Sequence, residues 1–335
     1  MKPYFLMEGI ELLGDELKGT ESIYLGIRPY GFHAGNATVF VVYPLLLCKE
    51  LIKRGKIPKF IFHIFINDWE QDSLDGPNPK LYPFNVVPKK TTFQYMEDPF
   101  GCCSSVVDHW EAIIRDNVMK IKEEFPHVVI KCVRNSSMRD NSKLKYYLLK
   151  TINEPSLVLN AIKKYTSKKT LNNPMTYAMA ICPNCHSAKG KTNVLSDNNS
   201  IQHVCDVCGG VSKGVYSNFD YWFYHKILAL PRLDFFNIDL CITGLDHYDE
   251  GDFLIRKKLI KDFGNKIKVP RTLYAPTILG ADGLQMGKSR NNDVFVEIDE
   301  LVDIISNSEG DKIIISTKKS DVSINKLVLG NVNGK

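Results

Sequence analysis

Between residues 21 and 69 a short strand, a glycine-bearing turn, a long apolar helix and a fully apolar strand follow one another without a break. ESIYLGI (21–27) reads as the first strand. ATVFVVYPLLLCKELIKRG (37–55) reads as the helix, with Pro44 kinking it or marking its start. PKFIFHIFINDW (58–69) is β-branched, aromatic and apolar on both faces, the pattern of a buried strand. A strand–helix–strand unit of this kind commits the chain to a parallel sheet with helices on its faces. Ligands of such sheets bind at the carboxyl ends of the strands.

The rest of the chain repeats the theme. DHWEAIIRDNVMKIKEEF (108–125) reads as a helix capped by Asp108, HVVIKCV (127–133) as a strand, and helical patterns run from about 142 to 165. FDYWFYHKILALPRL (219–233) is aromatic and helical in part. NIDLCITGLDHYDEGDFLIRKKLIKDFG (237–264) repeats strand, turn and helix, and TLYAPTILG (272–280) reads as a further strand. VFVEIDELVDIIS and DKIIISTKKSDVSI then give one helix and a strand or two.

At 335 residues, 44% of them hydrophobic and 24% charged, the chain has material for a large core. No unbroken run of 18 apolar residues occurs, and the N-terminus carries acids without a small-residue cleavage site. Neither a signal peptide nor a membrane partner is expected, and the expected location is cytoplasmic. The net charge of +5 permits a polyanionic partner. Basic residues gather at 131–150 and 163–169, where they read either as solvated faces or as a polyanion surface.

Of nine cysteines, Cys48, Cys102, Cys103, Cys132 and Cys241 lack metal-type spacing and read as core or incidental thiols. The other four form CPNC (182–185) and CDVCGG (205–210). Two residues between thiolates let both reach one ion from a tight turn, so Cys182, Cys185, Cys205 and Cys208 predict a four-thiolate zinc site. With every ligand position filled by protein, that zinc is structural. His186 and His203 flank the knuckles as surface or supporting residues, and the polar stretch between them reads as a small β-ribbon.

Three loops fall on one edge of the expected sheet: HAGN (33–36), GLDH (244–247) and QMGKSRNN (285–292). Singly, each is also compatible with a structural histidine, a capped turn or a surface loop. In this order they resemble class I aminoacyl-tRNA synthetases, with HAGN similar to the HIGH signature and QMGKSRNN to the KMSKS loop. GLDH looks like the segment that touches substrate and adenosine. YMEDPFGCCSSVVDHWE (95–111) and the cysteine knuckles bring the resemblance closest to the class I lysyl-tRNA synthetases. Gln285 stands where the first lysine of that loop falls, and Gly287 replaces its middle serine.

The resemblance implies an α/β fold with a Rossmann-like parallel sheet of the HIGH/KMSKS nucleotidyl-transferase type, carrying a zinc-knuckle insertion. The expected layout is a first half of the catalytic core at 1–165, the insertion at 166–215, the second half at 216–295 and a short extension at 296–335. No anticodon-binding domain is expected after the loop. The implied reaction is activation of an amino acid, lysine by resemblance, as its adenylate with release of pyrophosphate, followed by transfer to tRNA. Alternatives are transfer to an amine, carrier protein or peptide, and a degenerate tRNA-binding paralogue. His33, Asn36 and Lys288 are expected to be catalytic. Gly31, Gly35, Gly244, Asp246, His247, Met286 and Ser289 are expected to hold ATP, which brings Mg2+. Arg28, Asp68 and Trp222 are expected to meet the amino acid, with Tyr221 and Tyr224 as further walls.

Overall fold

A computed structural model describes residues 3–29, 32–70, 91–98, 100–165, 177–264, 267–286, 296–308 and 310–315. The chain opens with a two-residue strand, β1 (Tyr4–Phe5), and a helix, α1 (Leu6–Glu16), which the sequence reading left unassigned. The strand–helix–strand unit follows as β2 (Ser22–Ile27), α2 (Ala34–Ala37), α3 (Tyr43–Lys53) and β3 (Ile61–Ile66). Next come α4 (Val106–Glu124), β4 (Val129–Arg134), α5 (Ser142–Asn153) and α6 (Pro155–Tyr165). The cysteine-bearing stretch holds β5 (Ala178–Ala180), β6 (Gly190–Val194), β7 (Ser200–Cys205) and β8 (Val211–Val215). Then follow β9 (Tyr221–Phe223), α7 (His225–Phe235), β10 (Leu240–Gly244), α8 (Asp246–Asp249) and α9 (Asp252–Asp262). β11 (Arg271–Ala275), β12 (Thr277–Leu279), α10 (Ile298–Ser306) and β13 (Lys312–Ile314) complete the described chain.

Six strands form one parallel sheet in the order β1-β11-β10-β2-β3-β4. From β2 the chain steps outward to β3 and β4, and from β10 it steps the other way to β11. The order therefore reverses between β2 and β10, which makes that gap the sheet's topological switch point. Pairing there is short. β2 and β3 are in register over six residues, whereas β10 meets β2 only at Leu240–Ile23 and Cys241–Tyr24. Past those pairs the two strands part, and a cleft opens at their carboxyl ends.

The helix after the turn runs from Ala34 to Lys53 through a wide π-turn at Thr38–Val42. Proline lacks an N–H and its ring crowds the carbonyl four residues back. The wide turn absorbs that conflict just ahead of Pro44, so the helix continues through it. The segment is long and apolar enough to cross a membrane by composition, yet two thirds of it is buried in the protein, with Phe40, Val41 and Leu47 in the core.

Three other expectations shift. Ser105 caps α4 by accepting from the Asp108 N–H at 3.2 Å, and the Asp108 carboxylate accepts from the Ser105 hydroxyl at 2.7 Å, so Asp108 is the third residue of a reciprocal cap. The helical patterns at 142–165 form two helices divided at Pro155, and the strand expected at 272–280 is two, broken at Pro276. In both cases the missing proline N–H ends the run.

Candidate active site

The cleft at the switch point encloses about 540 Å³. On one side it is lined by His33, Gly35, Asn36, Thr277, Gln285 and Met286. Tyr24, Gly26, Lys226, Arg232, Thr243 and Arg256 line it as well. Gly244, Asp246 and His247 also line it, and Arg28, Asn67 and Glu70 stand among the lining residues from the β2 and β3 ends. The three loops singled out in the sequence thus contribute to one cavity.

His33 is the N-cap of α2, and its Nδ1 accepts from the Gly35 N–H at 3.1 Å. An accepting Nδ1 places the ring proton on Nε2, which makes that atom a donor. A Cβ on Gly35 would stand 3.0 Å from the His33 ring and crowd it where it folds back onto the helix start. Asp246 accepts from Gln285 Nε2 at 3.1 Å, tying the GLDH segment to the start of the 285–292 loop. Met286 is buried and its N–H bonds the Ile278 carbonyl at 2.8 Å.

Behind Asp246 lies a charged group: His247 Nδ1 is 3.2 Å from Asp252, and Lys226 donates to Asp252 and to the Glu250 carbonyl. Burial opposes ionisation of Asp252, but the charges of His247, Lys226 and Arg256 outweigh it and hold its carboxyl well below the usual range. Burial likewise opposes charging His247, and the Asp252, Asp246 and Glu250 carboxylates overcome it, raising that imidazole. At the other side of the mouth Arg28 pairs with Glu70 at 2.6 Å. Burial pushes the Glu70 carboxyl up against the pull of Arg28 and the Asn67 amide.

Two residues expected in the site lie elsewhere. Asp68 is fully buried beside the cleft and accepts from the Ser136 hydroxyl at 2.5 Å and its N–H at 3.3 Å. Its neighbour Asn67 lines the cavity instead, because successive residues at a strand's end point to opposite sides, and Glu70, past the end of the strand, lines it as well. Trp222 sits on β9 opposite Met179, packed against the second hydrophobic core, where Tyr221 is buried. Gly31, Lys288 and Ser289 lie outside the described residues. Lys226, Arg232, Arg256 and Glu70 were missed. Lys226 and Arg232 are charges inside an otherwise apolar run, YHKILALPRL, and that was a readable signal.

The Sγ atoms of Cys182, Cys185, Cys205 and Cys208 lie within 4.8 Å of one another, with Cys182–Cys208 at 3.6 Å and Cys185–Cys205 at 3.5 Å. Tetrahedral zinc with ~2.3 Å Zn–S bonds sets its sulfurs about 3.8 Å apart, whereas a disulfide needs about 2.05 Å. The thiols fit an ion. Their turns join a three-stranded antiparallel ribbon, β6-β7-β8. A second cluster was not anticipated: Asp98, Cys102, Cys103 and His109 also bring one donor atom each within 4.8 Å. Cys102 and Cys103, read above as incidental, owe that place to a tight turn in which their N–H groups both bond Asp98, at 2.9 and 2.8 Å.

A parallel sheet whose helix N-terminus opens onto a switch-point cleft is the architecture of nucleotide-binding α/β proteins. Within that class the chain belongs to the family described as tRNA synthetases class I (K), whose model matches residues 15–326. No curated protein sequence matches it. Among solved structures it is similar to the tyrosyl-tRNA synthetase from Archaeoglobus fulgidus complexed with L-tyrosine, at 14% identity and a TM-score of 0.45, over 86% of this chain and 65% of that one. It is similar to Leishmania major tyrosyl-tRNA synthetase in complex with tyrosinol at 13% identity and a TM-score of 0.42, over 87% of this chain and 32% of that one. For a putative arginyl-tRNA synthetase from Campylobacter jejuni the identity is 14% and the TM-score 0.33, over 92% and 70%. The chain thus spans about two thirds or less of the two tyrosyl enzymes.

Proposed function

We propose that this protein activates an amino acid with ATP as the aminoacyl-adenylate and passes the acyl group to tRNA. The observation that carries the reading is the convergence of the HAGN turn, the GLDH segment and Gln285–Met286 on one switch-point cleft. A carboxylate oxygen of the amino acid attacks the α-phosphorus, the bond from that phosphorus to the bridging oxygen breaks, and pyrophosphate leaves. Charge builds on the phosphoryl oxygens, so the protein's part is positioning and stabilisation. The His33 Nε2–H and the α2 N-terminus would donate to those oxygens, with Asn36 beside them and Gly244, Asp246 and His247 toward the nucleoside. Lys288 and Ser289 would follow the departing pyrophosphate, whose Mg2+ arrives with ATP. The four thiols of the ribbon would hold zinc as a structural cross-link. Nine free thiols suit a reducing, cytoplasmic setting.

Lysine is the amino acid that the resemblance suggests, and nothing else favours it. Transfer to an acceptor other than tRNA has no observation on its side. The deciding experiment is ATP–pyrophosphate exchange across the twenty amino acids, with and without tRNA. His33→Ala should cut the exchange by about 10²–10³-fold, the usual loss for one transition-state donor, while the lost helix cap costs only about 0.5–2 kcal/mol of stability. A fully active His33→Ala protein would remove the assignment.

A further inference from the structure

A line of buried polar side chains runs from Arg232 to Glu70, both of which line the cleft. Arg232, 3% exposed, donates from Nη1 to the Tyr24 hydroxyl at 2.9 Å, and from Nε at 3.1 Å and from Nη2 to the Asn135 side-chain oxygen. Asn135, just past β4 and 1% exposed, donates from Nδ2 to the Asn67 side-chain oxygen at 2.5 Å. Asn67 in turn donates from Nδ2 to Glu70 Oε2 at 2.7 Å.

The direction of this relay is fixed. A guanidinium has no acceptor, so the Asn135 atom that faces Arg232 must be its oxygen. That turns the Asn135 amide nitrogen to Asn67, and the Asn67 amide nitrogen to Glu70. Arg28 Nη2 meets the other carboxylate oxygen, Oε1, at 2.6 Å. Glu70 thus faces a donor at each oxygen, the surroundings that favour an ionised carboxylate.

These donors do not offset its burial. Burial raises the Glu70 carboxyl, and Arg28, Asn67 and Arg232 pull against it without cancelling it. The Arg28 side chain is 56% exposed, so water screens that pair. By contrast, Asp252 is held by Lys226 and His247, and Asp246 accepts from Gln285. The Glu70 carboxylate is therefore the one best served by a cation that a ligand brings. A divalent ion is a poor match. It needs several oxygen ligands, whereas the Asn67 oxygen is turned away to Asn135 and the groups on Glu70 are N–H donors.

We propose that Glu70 receives the α-ammonium of the amino acid, with Arg232, Asn135 and Asn67 positioning its carboxylate. An ammonium brings three donors to oxygens that can each accept a further hydrogen bond, and it supplies the charge that burial makes costly to lack. The group is common to the amino acids, so the assignment is independent of the side chain that the protein selects. It rests on the reading of the cleft as an amino-acid site, and its test therefore reads binding, not turnover.

Calorimetric titration of the full chain with each common amino acid, with and without ATP, identifies the tightest binder. The same acid with hydrogen in place of its α-amino group is then the probe. The deaminated acid should bind the parent about 10–100-fold more weakly, the range for hydrogen bonds to a charged group. Glu70→Gln should weaken the amino acid by a similar factor and leave the deaminated acid and ATP at parental affinity, so that the two losses do not add. Asn135→Asp, which keeps the shape but cannot donate to Asn67, should cost the amino acid about 3–10-fold and the deaminated acid nothing. Should Glu70→Gln melt early, Glu70→Asp, which draws the charge back by one methylene, carries the comparison. Binding of no amino acid, equal affinity for the amino acid and its deaminated form, additive losses, or a fall in ATP affinity with Glu70→Gln would overturn the proposal. Amino acids that bind through Glu70 without supporting pyrophosphate exchange would refute the adenylate reaction and leave this subsite standing. Exchange undisturbed by Glu70→Gln would do the reverse.

Discussion

The two faces of the central sheet differ in kind. One presents Ile23, Leu25, Ile27, Phe62, Ile64, Ile66, Leu240, Ile242 and Leu273 to a single hydrophobic cluster that includes residues of α1, α3, α4 and α10. The opposite face presents Tyr24, His63, Phe65, Cys241, Thr272 and Tyr274. Over it lie Arg232 and Arg256, and the cluster on that side also takes in Ile181, Ala188 and Ile201 from the cysteine ribbon. The first face is dense, and Ile27, Phe40, Ile242, Ile278 and Met286 of its cluster also line the cleft. Unpaired polar atoms mark the second: His63 Nδ1, Thr272 Oγ1 and Tyr274 Oη are buried with no partner among the described residues. Burying such groups costs stability that an aliphatic layer does not lose. The aliphatic packing is thus concentrated on one face and the buried polar groups on the other, with the cleft drawing on both.

The largest break in that comparison should come from the ribbon. Structural zinc contributes on the order of 10 kcal/mol to isolated zinc-finger peptides, so Cys182→Ser, or chelation, should release the ion and raise hydrogen exchange over β5–β8 and the second face. The first face should stay protected. Equal loss of protection on both faces, or a stable ribbon without metal, would dissolve the distinction.

Truncation on the dense face comes next. Ile64→Ala should cost about 2–5 kcal/mol in denaturant unfolding, because fully buried aliphatic positions leave a cavity that cannot collapse. Ligand binding by the molecules that remain folded should be unaltered.

A smaller effect sharpens the contrast through pH. Burial, with Lys131 nearby, lowers the His63 pKa to about 4, from an ordinary value of 6.5. Between those limits the unfolded chain binds the proton and the folded chain refuses it, so this group makes stability fall as pH drops from 6.5 to 4. Asp68 works against it. Burial raises its carboxyl to about 6, so the folded state takes a proton first and gains stability over the same acid range. His63→Phe, retaining the ring contacts with Phe65 and Phe236, isolates the first effect. Relative to the parent, the variant should be about 1–3 kcal/mol better at pH 4.5 than at pH 7.5. An unchanged difference between the two pH values would show that His63 is not held neutral.

Local pattern made much of this legible. The alternation in β2, the apolar run of β3 and the glycine turn between them suffice for a parallel sheet, because a helix crossover leaves one pairing sense and one hand. The cysteine spacing suffices for a knuckle, because two thiolates three positions apart in a turn face one point. HAGN and GLDH were readable because a helix start at a strand's end is a local event.

Other features depended on which distant groups meet. Strand order is one: β10 lies beside β2 although more than two hundred residues separate them, and the short pairing between them makes the cleft. Asp68 against Asn67 is another, since one step along the chain at a strand's end moves a side chain from the wall into the cleft. Asp98, Cys102, Cys103 and His109 carry no spacing signature, and only a folded turn brings them within reach of one another. The set of charged side chains that line the cleft was hidden for the same reason. A sequence states that Arg232 and Arg256 are positive, but whether a buried charge is paired depends on which carboxylates the tertiary fold sets beside it.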